Sequence, residues 1–263
     1  MIPFLRKIRK RLITNHKVGG YLLYAIGEIA LIIVGILLAL QINNWNEGRK
    51  DSKIEHQYLL RLKEDLEKDA SVFLFIEELT SLRLEQVDLI YSVLDEPALA
   101  AQNPKAFLNA IEQVSWRSYL PQTRVVYNEL LSTGRMSLIK SEELRTYLAD
   151  YYRTVDHWWE MILGQSGNQD DYSRATAGLL SKDILAAIEN AASLENTTPD
   201  ESIDIEISPV EIREIRENFL RNEDALRFLP NLYHYHILGG KVIQKLEEQN
   251  STLLEIVGEE IDQ

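Results

Sequence analysis

The five histidines are the side chains of this chain with the widest chemical range, because imidazole acts as acid, base or metal ligand near neutral pH. A di-iron or di-manganese bundle places a Glu three residues before a His on facing helices. No histidine here has that Glu, and His157-Trp-Trp-Glu160 shows the reverse order once. On a helix, the rings of His234 and His236 would point about 200° apart. These patterns predict no catalytic, cofactor-binding or metal-ligating residues.

Other catalytic signatures are equally weak. The chain has no cysteine, which excludes disulfides, thiolate catalysis and cysteine-ligated clusters. Gly239-Gly240-Lys241 lacks the first Gly and the hydroxyl residue of a phosphate-binding loop. Ser132-Thr133-Gly134 is explained better as a helix end than as a nucleophile turn. We therefore expect a protein without enzymatic activity and without a cofactor.

Six aromatic residues make the most prominent cluster outside the apolar N-terminal segment. They are Tyr147, Tyr151, Tyr152, Trp158, Trp159 and Tyr172. Aromatic side chains often dominate a core, and we favour that interpretation for the cluster. Tyr152 and Trp159 fall off the main apolar face of their predicted helix. These two residues are therefore candidates to line a cleft or to dock a partner.

The elements that must position these residues follow from an uneven distribution of charge. The 263 residues carry 28 Lys and Arg against 41 Asp and Glu, a formal net charge of −13. Residues 1–20 contain six bases and no acid, residues 21–42 contain one acid, and residues 43–263 contain the other acids. Nucleic acid would repel so acidic a body, so we predict no nucleic-acid partner.

Residues 21–42 form an apolar segment that predicts a transmembrane helix. As a helix they measure about 33 Å, against about 30 Å for the hydrocarbon core of a bilayer. The aromatic residues Tyr21, Tyr24 and Trp45 suit the two membrane interfaces. A cleaved signal peptide is the alternative. It is disfavoured because the apolar run is long and no small-x-small cleavage site follows it.

The basic residues before this helix predict its orientation. The positive-inside rule places them in the cytoplasm, where anionic lipids of the inner leaflet attract them. The residues concerned are Arg6, Lys7, Arg9, Lys10 and Arg11. We predict an inner-membrane protein with a cytoplasmic head (1–20), one transmembrane helix (21–42) and a periplasmic domain (43–263).

Glu28 is the one ionisable residue inside the apolar segment. Helical spacing places Glu28, Gly35 and Ala39 on one face, where Gly35 and Ala39 form a small-xxx-small pair. One interpretation is a helix–helix contact, by self-association or with a protein partner, in which Glu28 is hydrogen-bonded. The other is a tolerated carboxyl group that is protonated or reaches toward water.

Several motifs resemble a known family. They are Arg6-Lys-Ile-Arg9, Tyr24-Ala-Ile-Gly-Glu28-Ile, Gly35-Ile-Leu-Leu-Ala-Leu-Gln-Ile-Asn-Asn-Trp-Asn-Glu47 and Tyr127-Asn-Glu-Leu-Leu-Ser-Thr-Gly134. The pattern looks like the signature of a bacterial family of uncharacterised single-pass membrane proteins, catalogued as a domain of unknown function. The resemblance implies an envelope protein and supplies no catalytic residues. It leaves open whether Tyr127–Gly134 is a packing corner or a binding edge.

The spacing of apolar residues in 43–263 predicts one all-α domain, an extracytoplasmic bundle with a long first helix. This helix, 45–94, starts so close to the apolar segment that the two can form one helix, and Asp69, Thr80 and Arg83 interrupt its apolar spacing. Asn103 and Ser208 are predicted N-caps, and Gly134 is a predicted C-terminal cap. Further helices are predicted over 103–114, 123–132, from 141 to a break at 164–168, 170–192, 208–228 and 231–260, with an extended segment at 203–207.

The sequence favours a non-enzymatic envelope protein whose periplasmic bundle binds or scaffolds other proteins. A periplasmic ligand sensor, with a pocket near the aromatic cluster and signalling through partner membrane helices, is one alternative. The other is an envelope hydrolase or metalloenzyme of unfamiliar type that would use His157 and His236.

Overall fold

The computed structural model describes residues 18–117, 123–165, 167–192 and 202–262. The chain divides into two compact units, Met1–Gln57 and Tyr58–Gln263. Helices joined by turns and irregular connections make up the described residues, which contain no strand. The predicted all-α class is therefore confirmed.

The first helix, α1, runs from Val18 to Asp95 and contains 78 residues. No proline interrupts it, and Glu96-Pro97 follows its last residue. A proline disfavours helical geometry in the residue before it, which explains why α1 ends there. The prediction that the apolar segment and the helix after it form one helix is confirmed.

Shorter helices follow α1 in the described part of Tyr58–Gln263. They are α2 (Leu99–Gln102), α3 (Pro104–Gln113), α4 (Val125–Ser132), α5 (Glu142–Gln165), α6 (Gly167–Thr176), α7 (Lys182–Ala191), α8 (Pro209–Leu220) and α9 (Glu223–Ile261), with a 3-10 helix at Arg135–Leu138. The α9 helix contacts both α5 and α6, and α3 contacts α7. Both α9 and α3 contribute buried side chains to the hydrophobic core of the unit.

Predicted capping residues mark several of the helix ends. The Asn103 side chain accepts a hydrogen bond from the N–H of Ala106 at the start of α3. The Ser208 hydroxyl accepts from the N–H of Glu211 at 3.1 Å at the start of α8. Gly134 has a φ of 67°, the left-handed geometry that glycine adopts without strain after a helix.

Three predicted boundaries are wrong. The helix predicted over 208–228 ends at Leu220, because the Asn222 side chain accepts the N–H of Ala225 and starts α9 there. Pro230 lies inside α9 rather than before it, since the buried face of that helix continues on both sides. Residues 170–192 form two helices separated by a turn that contains Gly178 at φ 83°. Ile203 lies in an irregular segment, and its buried side chain packs against the core.

One hydrophobic core of Tyr58–Gln263 joins the end of α1 to α3, α7, α8 and α9. Phe107 of α3 and Phe219 of α8 meet edge to face inside it, with ring centroids 5.9 Å apart. Tyr172 of α6 is fully buried in the same core, and its hydroxyl donates to the carbonyl of Ile111 at 3.2 Å. The prediction that aromatic residues of 147–172 fill a core therefore holds for Tyr172.

Candidate functional site

The predicted membrane-contact residues lie on the exposed first part of α1. Gly35 and Ala39 are exposed, and Glu28 is half-buried. Apart from its chain neighbours and the backbone of its own helix, no described atom lies within 4 Å of the position that a Cβ would take on Gly35. Trp45 is 67% exposed. The side chains of Tyr21 and Tyr24 lie outside the described residues, as do the whole of Arg6, Lys7, Arg9, Lys10 and Arg11.

Two carboxylates of α1, Asp65 and Asp69, are buried at the start of α4. Asp65 Oδ2 accepts the N–H of Val126 at 3.1 Å, and Asp69 Oδ1 accepts the N–H of Thr123 at 3.1 Å. Arg124, the residue before α4, provides no side-chain cap. The two aspartates therefore do the work of an N-cap, with their negative charge at the positive end of the helix dipole.

Asp69 also joins α4 to two further helices. The Tyr151 hydroxyl of α5 donates to Asp69 Oδ2 at 3.1 Å. Asn250 Nδ2 of α9 donates to the carbonyl of Leu66 at 3.2 Å and lies 3.5 Å from the Tyr151 hydroxyl. Asp69, Tyr151 and Asn250 are each 1% exposed, so water does not compete for these hydrogen bonds. We call Asp65, Asp69, Tyr151, Tyr152 and Asn250 the acid–tyrosine cluster.

Tyr152, which the sequence assigned to a partner or ligand surface, lies inside this cluster and is 2% exposed. Its hydroxyl donates to the carbonyl of Thr123 at 3.2 Å, and its ring stacks on Tyr127 with centroids 4.2 Å apart. The Arg124 guanidinium lies 5.2 Å from the centre of the Tyr152 ring. The Tyr152 side chain is thus a packing element. Trp159, the second residue of the predicted surface, is half-buried.

In the segment Tyr127–Gly134, the carboxylate of Glu129 is bound by neighbours in the same chain. Glu129 accepts hydrogen bonds from the Tyr58 hydroxyl at 2.8 Å and from Arg61 at 2.6 Å. Leu130 is fully buried. Of the two interpretations that the sequence left open for this segment, the geometry supports the packing corner.

Burial sets the electrostatics of the acid–tyrosine cluster. It raises the pKa of Asp69, and the hydrogen bonds from Thr123 and Tyr151 oppose that rise. Burial also raises the pKa of Tyr151 and of Tyr152, and the charge of Asp69 adds to both shifts. Both phenols therefore keep their protons at neutral pH and act as hydrogen-bond donors. The cluster has the chemistry of a structural hydrogen-bond network.

A second buried polar group contains Arg83 of α1 and His236 of α9. Arg83 donates to the side-chain oxygens of Gln113 at 2.6 Å and Gln86 at 3.0 Å. Burial lowers the pKa of Arg83 to about 10. His236 Nε2 lies 2.7 Å from the carbonyl of Val114. Because a carbonyl only accepts, Nε2 carries the proton of the neutral ring.

His236 is buried, whereas the other two histidines considered in the sequence analysis, His157 and His234, are exposed. Burial lowers the pKa of His236 to about 4, and the positive charge of Arg83 contributes to the shift. Throughout the described ranges, no group of three or more His, Asp or Glu side chains is placed to hold a metal ion.

Sequence reasoning recognised some of these polar residues without finding their partners. Asp69 and Arg83 stood out because they interrupt the apolar spacing of α1. Asn250 carries the same signal, since it lies between Leu246 and Leu253 on the buried face of α9, but it was missed. The backbone N–H groups that Asp65 and Asp69 bind have no signature in a sequence.

Comparison with known proteins identifies the family. Residues 28–170 match a family of unknown function, DUF6090. The match covers more than half of the chain, so the protein belongs to that family. It includes Glu28, the Gly35–Glu47 motif and the Tyr127–Gly134 corner. The predicted membership in a family of unknown function is confirmed. No curated protein and no solved structure matches the chain.

We expect the hydrogen bond between Asp69 and Tyr151 to stabilise the fold measurably. Asp69→Ala and Tyr151→Phe should each destabilise the protein, and a double-mutant cycle should give a coupling energy of about 1.5–3 kcal/mol, the range for hydrogen bonds to charged groups. Denaturant unfolding of the full chain in detergent measures it. The control cycle pairs Asp69→Ala with Tyr147→Phe, because Tyr147 is 43% exposed. Equal coupling in the two cycles would contradict the assignment.

His236 should make the protein less stable as the pH falls. The pKa is about 6.5 in the unfolded chain and about 4 in the folded protein. The unfolded state therefore binds the proton first, and stability is lost between these two pH values. The full shift corresponds to roughly 3 kcal/mol.

His236→Gln keeps a donor toward Val114 and removes the titration. Stability measured from pH 7 to pH 4 should fall less steeply in this variant than in the parent protein, by roughly 3 kcal/mol over the window. His157→Gln is the matched control at an exposed histidine and should keep the parent slope. An unchanged slope in His236→Gln would show that the ring does not titrate as described.

Proposed function

We propose that this DUF6090 protein is a single-pass protein of the bacterial inner membrane. Its basic head faces the cytoplasm and its acidic body lies in the periplasm. The protein is not an enzyme and works without a cofactor. It binds or scaffolds other envelope proteins, with which it makes contact through its membrane helix.

The observation that carries this proposal is the exposure of the apolar part of α1. One helix in the described chain is long and apolar enough to cross a membrane, with a mean hydropathy of 2.4 over its best 18 residues, none of them buried. The large apolar side chains described from Leu22 to Trp45 are each more than half exposed. Water does not tolerate so large a continuous apolar surface, whereas lipid does. A helix also satisfies its own backbone hydrogen bonds in lipid.

The charge distribution supports the orientation. The six bases of residues 1–20 suit an anionic cytoplasmic leaflet, where each contributes about 1 kcal/mol of attraction near the surface. The acidic body has the opposite preference and would be repelled by the same lipids. The same acidity argues against a nucleic-acid partner.

The face formed by Glu28, Gly35 and Ala39 supports a helix–helix contact. Small residues allow two backbones to approach closely, and the space around Gly35 is open. A carboxyl group within the hydrocarbon region is costly unless it is paired or reaches water. A hydrogen bond from Glu28 to a second helix removes that cost, and the second helix belongs either to another copy of this chain or to a protein partner.

The topology is testable with single cysteines, because the chain has none of its own. Ser251→Cys, at an exposed position of α9, should react with a membrane-impermeant maleimide in spheroplasts of a bacterial host. Thr14→Cys, in the basic head, should react only after the membrane is permeabilised. Labelling of Thr14→Cys in closed spheroplasts, or protection of Ser251→Cys, would overturn the orientation.

The helix contact is testable by oxidative crosslinking in native membranes. Gly35→Cys and Ala39→Cys should form disulfide-linked dimers if a second copy is the partner. With a different partner, photo-crosslinking from the same two positions should yield one larger adduct. Leu37→Cys is the matched control, because it lies about 160° away from both positions on the helix. Glu28→Leu should weaken the crosslink, and equal yields from positions 35, 37 and 39 would argue against a specific face.

A further inference from the structure

A cavity of about 210 Å³ lies between α3, α6 and α7, well apart in sequence from the proposed membrane helix. An apolar cavity of about 150 Å³ is large enough to hold benzene, so this one has room for a ligand of about six to ten non-hydrogen atoms. Its polar wall consists of Glu112, Ser115, Ser173 and Thr176, and its apolar wall includes Ile111 and Leu185. We call it the Glu112 cavity.

Glu112 places a carboxylate in the wall of the cavity. Its carboxylate is half-buried and accepts a hydrogen bond from the Trp116 indole. None of the ion pairs found among the described residues includes Glu112. Among the described residues, the charge that acts on it is that of Glu189, also negative. Burial and the Glu189 charge together raise the pKa of Glu112, so the carboxylate would gain from a cation placed beside it.

The hydroxyl oxygens in the cavity wall can still accept hydrogen bonds. Thr176 Oγ1 donates its proton to the carbonyl of Tyr172 at 3.0 Å, so the oxygen has lone pairs left only to accept. Ser115 and Ser173 share one hydrogen bond, with their hydroxyl oxygens 3.1 Å apart. An ammonium group has three donors and no acceptor, which matches a wall made of one carboxylate and accepting hydroxyls.

The apolar wall and the cavity mouth restrict the rest of the ligand. Ile111 is buried at one side, while Leu185 is 37% exposed and borders the solvent. Glu189 lies one helical turn after Leu185 on α7, and its negative charge acts on Glu112. These walls favour a short alkyl chain and disfavour an anion.

We propose that the Glu112 cavity binds a small organic ammonium ion that carries a short alkyl chain and a hydroxyl group, with the Glu112 carboxylate as its counter-ion. The serine pair hydrogen-bonds the ligand hydroxyl, and Ile111 and Leu185 pack on the alkyl chain. This site does not depend on the proposed membrane contact, because all of its residues belong to the unit Tyr58–Gln263.

A matched pair of probes tests the charge requirement. The full chain in lipid nanodiscs is titrated with 4-amino-1-butanol and with 1,4-butanediol, which has a hydroxyl in place of the ammonium, and binding is followed by ligand-observed NMR. The amine should bind at least about tenfold more tightly, since a charge-assisted hydrogen bond is worth 1.5 kcal/mol or more. Equal affinity for the two probes, or no binding of the amine, would overturn the proposal.

Three variants locate the binding. Glu112→Gln should abolish the preference for the amine, and Glu85→Gln should preserve it, because Glu85 is an exposed acid on α1. Leu185→Trp fills the mouth while keeping Glu112, and it should weaken the binding of both probes. If Glu112→Gln lowers the melting temperature, Leu185→Trp still tests whether the probes bind in this cavity. An amine preference that survives both Glu112→Gln and Leu185→Trp would place the ligand elsewhere and defeat the assignment.

Discussion

The arrangement of the Tyr127–Gly134 corner depends on the two buried carboxylates that α1 provides for the start of α4. An α-helix begins with N–H groups that have no partner inside the helix. The eight-residue α4 is too short to be stable alone, since isolated helices below about 12 residues are marginal in water. Arg124 gives it no side-chain cap. Asp65 and Asp69 supply acceptors for the N–H groups of Val126 and Thr123. These two hydrogen bonds hold the start of α4 against α1.

Burying two acids four residues apart has a cost that the surrounding helices offset. The raised pKa of Asp69 reports that cost. The compensation comes from donors on separate elements, namely the Tyr151 hydroxyl and the N–H of Thr123, while Asn250 closes the network from α9. A buried polar atom left without a partner costs about 1–3 kcal/mol. Packings that shift α4, α5 or α9 away from α1 are therefore disfavoured more strongly than apolar contacts alone would achieve.

Sequence reasoning succeeded where the signal was local. Caps at Asn103 and Ser208, the turn at Gly134 and the continuity of α1 depend on neighbouring residues and were predicted. The start of α9 was misplaced because Pro230 is a strong signal in a sequence, whereas the decisive Asn222 cap is one of many asparagines. Burial of a face on both sides of Pro230 outweighed the hydrogen bond that a proline removes.

The candidate sites show more clearly what a sequence cannot reveal. A polar residue in an apolar spacing marks Asp69 and Arg83 as unusual, yet it does not say what they bind, because their partners lie far along the chain. Glu112 had no such signal. It became notable only when the fold brought α6 and α7 beside α3 and placed Glu112 in the wall of a cavity.

The two parts of α1 meet opposite demands with the same helical geometry. Between Leu22 and Trp45 the large apolar side chains that the structure describes are each more than half exposed, and this is the surface that our proposal assigns to lipid. After Tyr58 one face of the helix is buried, with apolar side chains such as Leu62, Leu66 and Phe73, and the polar Asp65, Asp69 and Arg83 are buried as well. An ionisable group is expensive in both settings unless it has a partner. Within the protein, Asp69 is hydrogen-bonded to Tyr151 and Arg83 to Gln113. Glu28 lies in the part of α1 for which we propose lipid as the solvent, and our proposal gives it a partner on a second helix for the same physical reason.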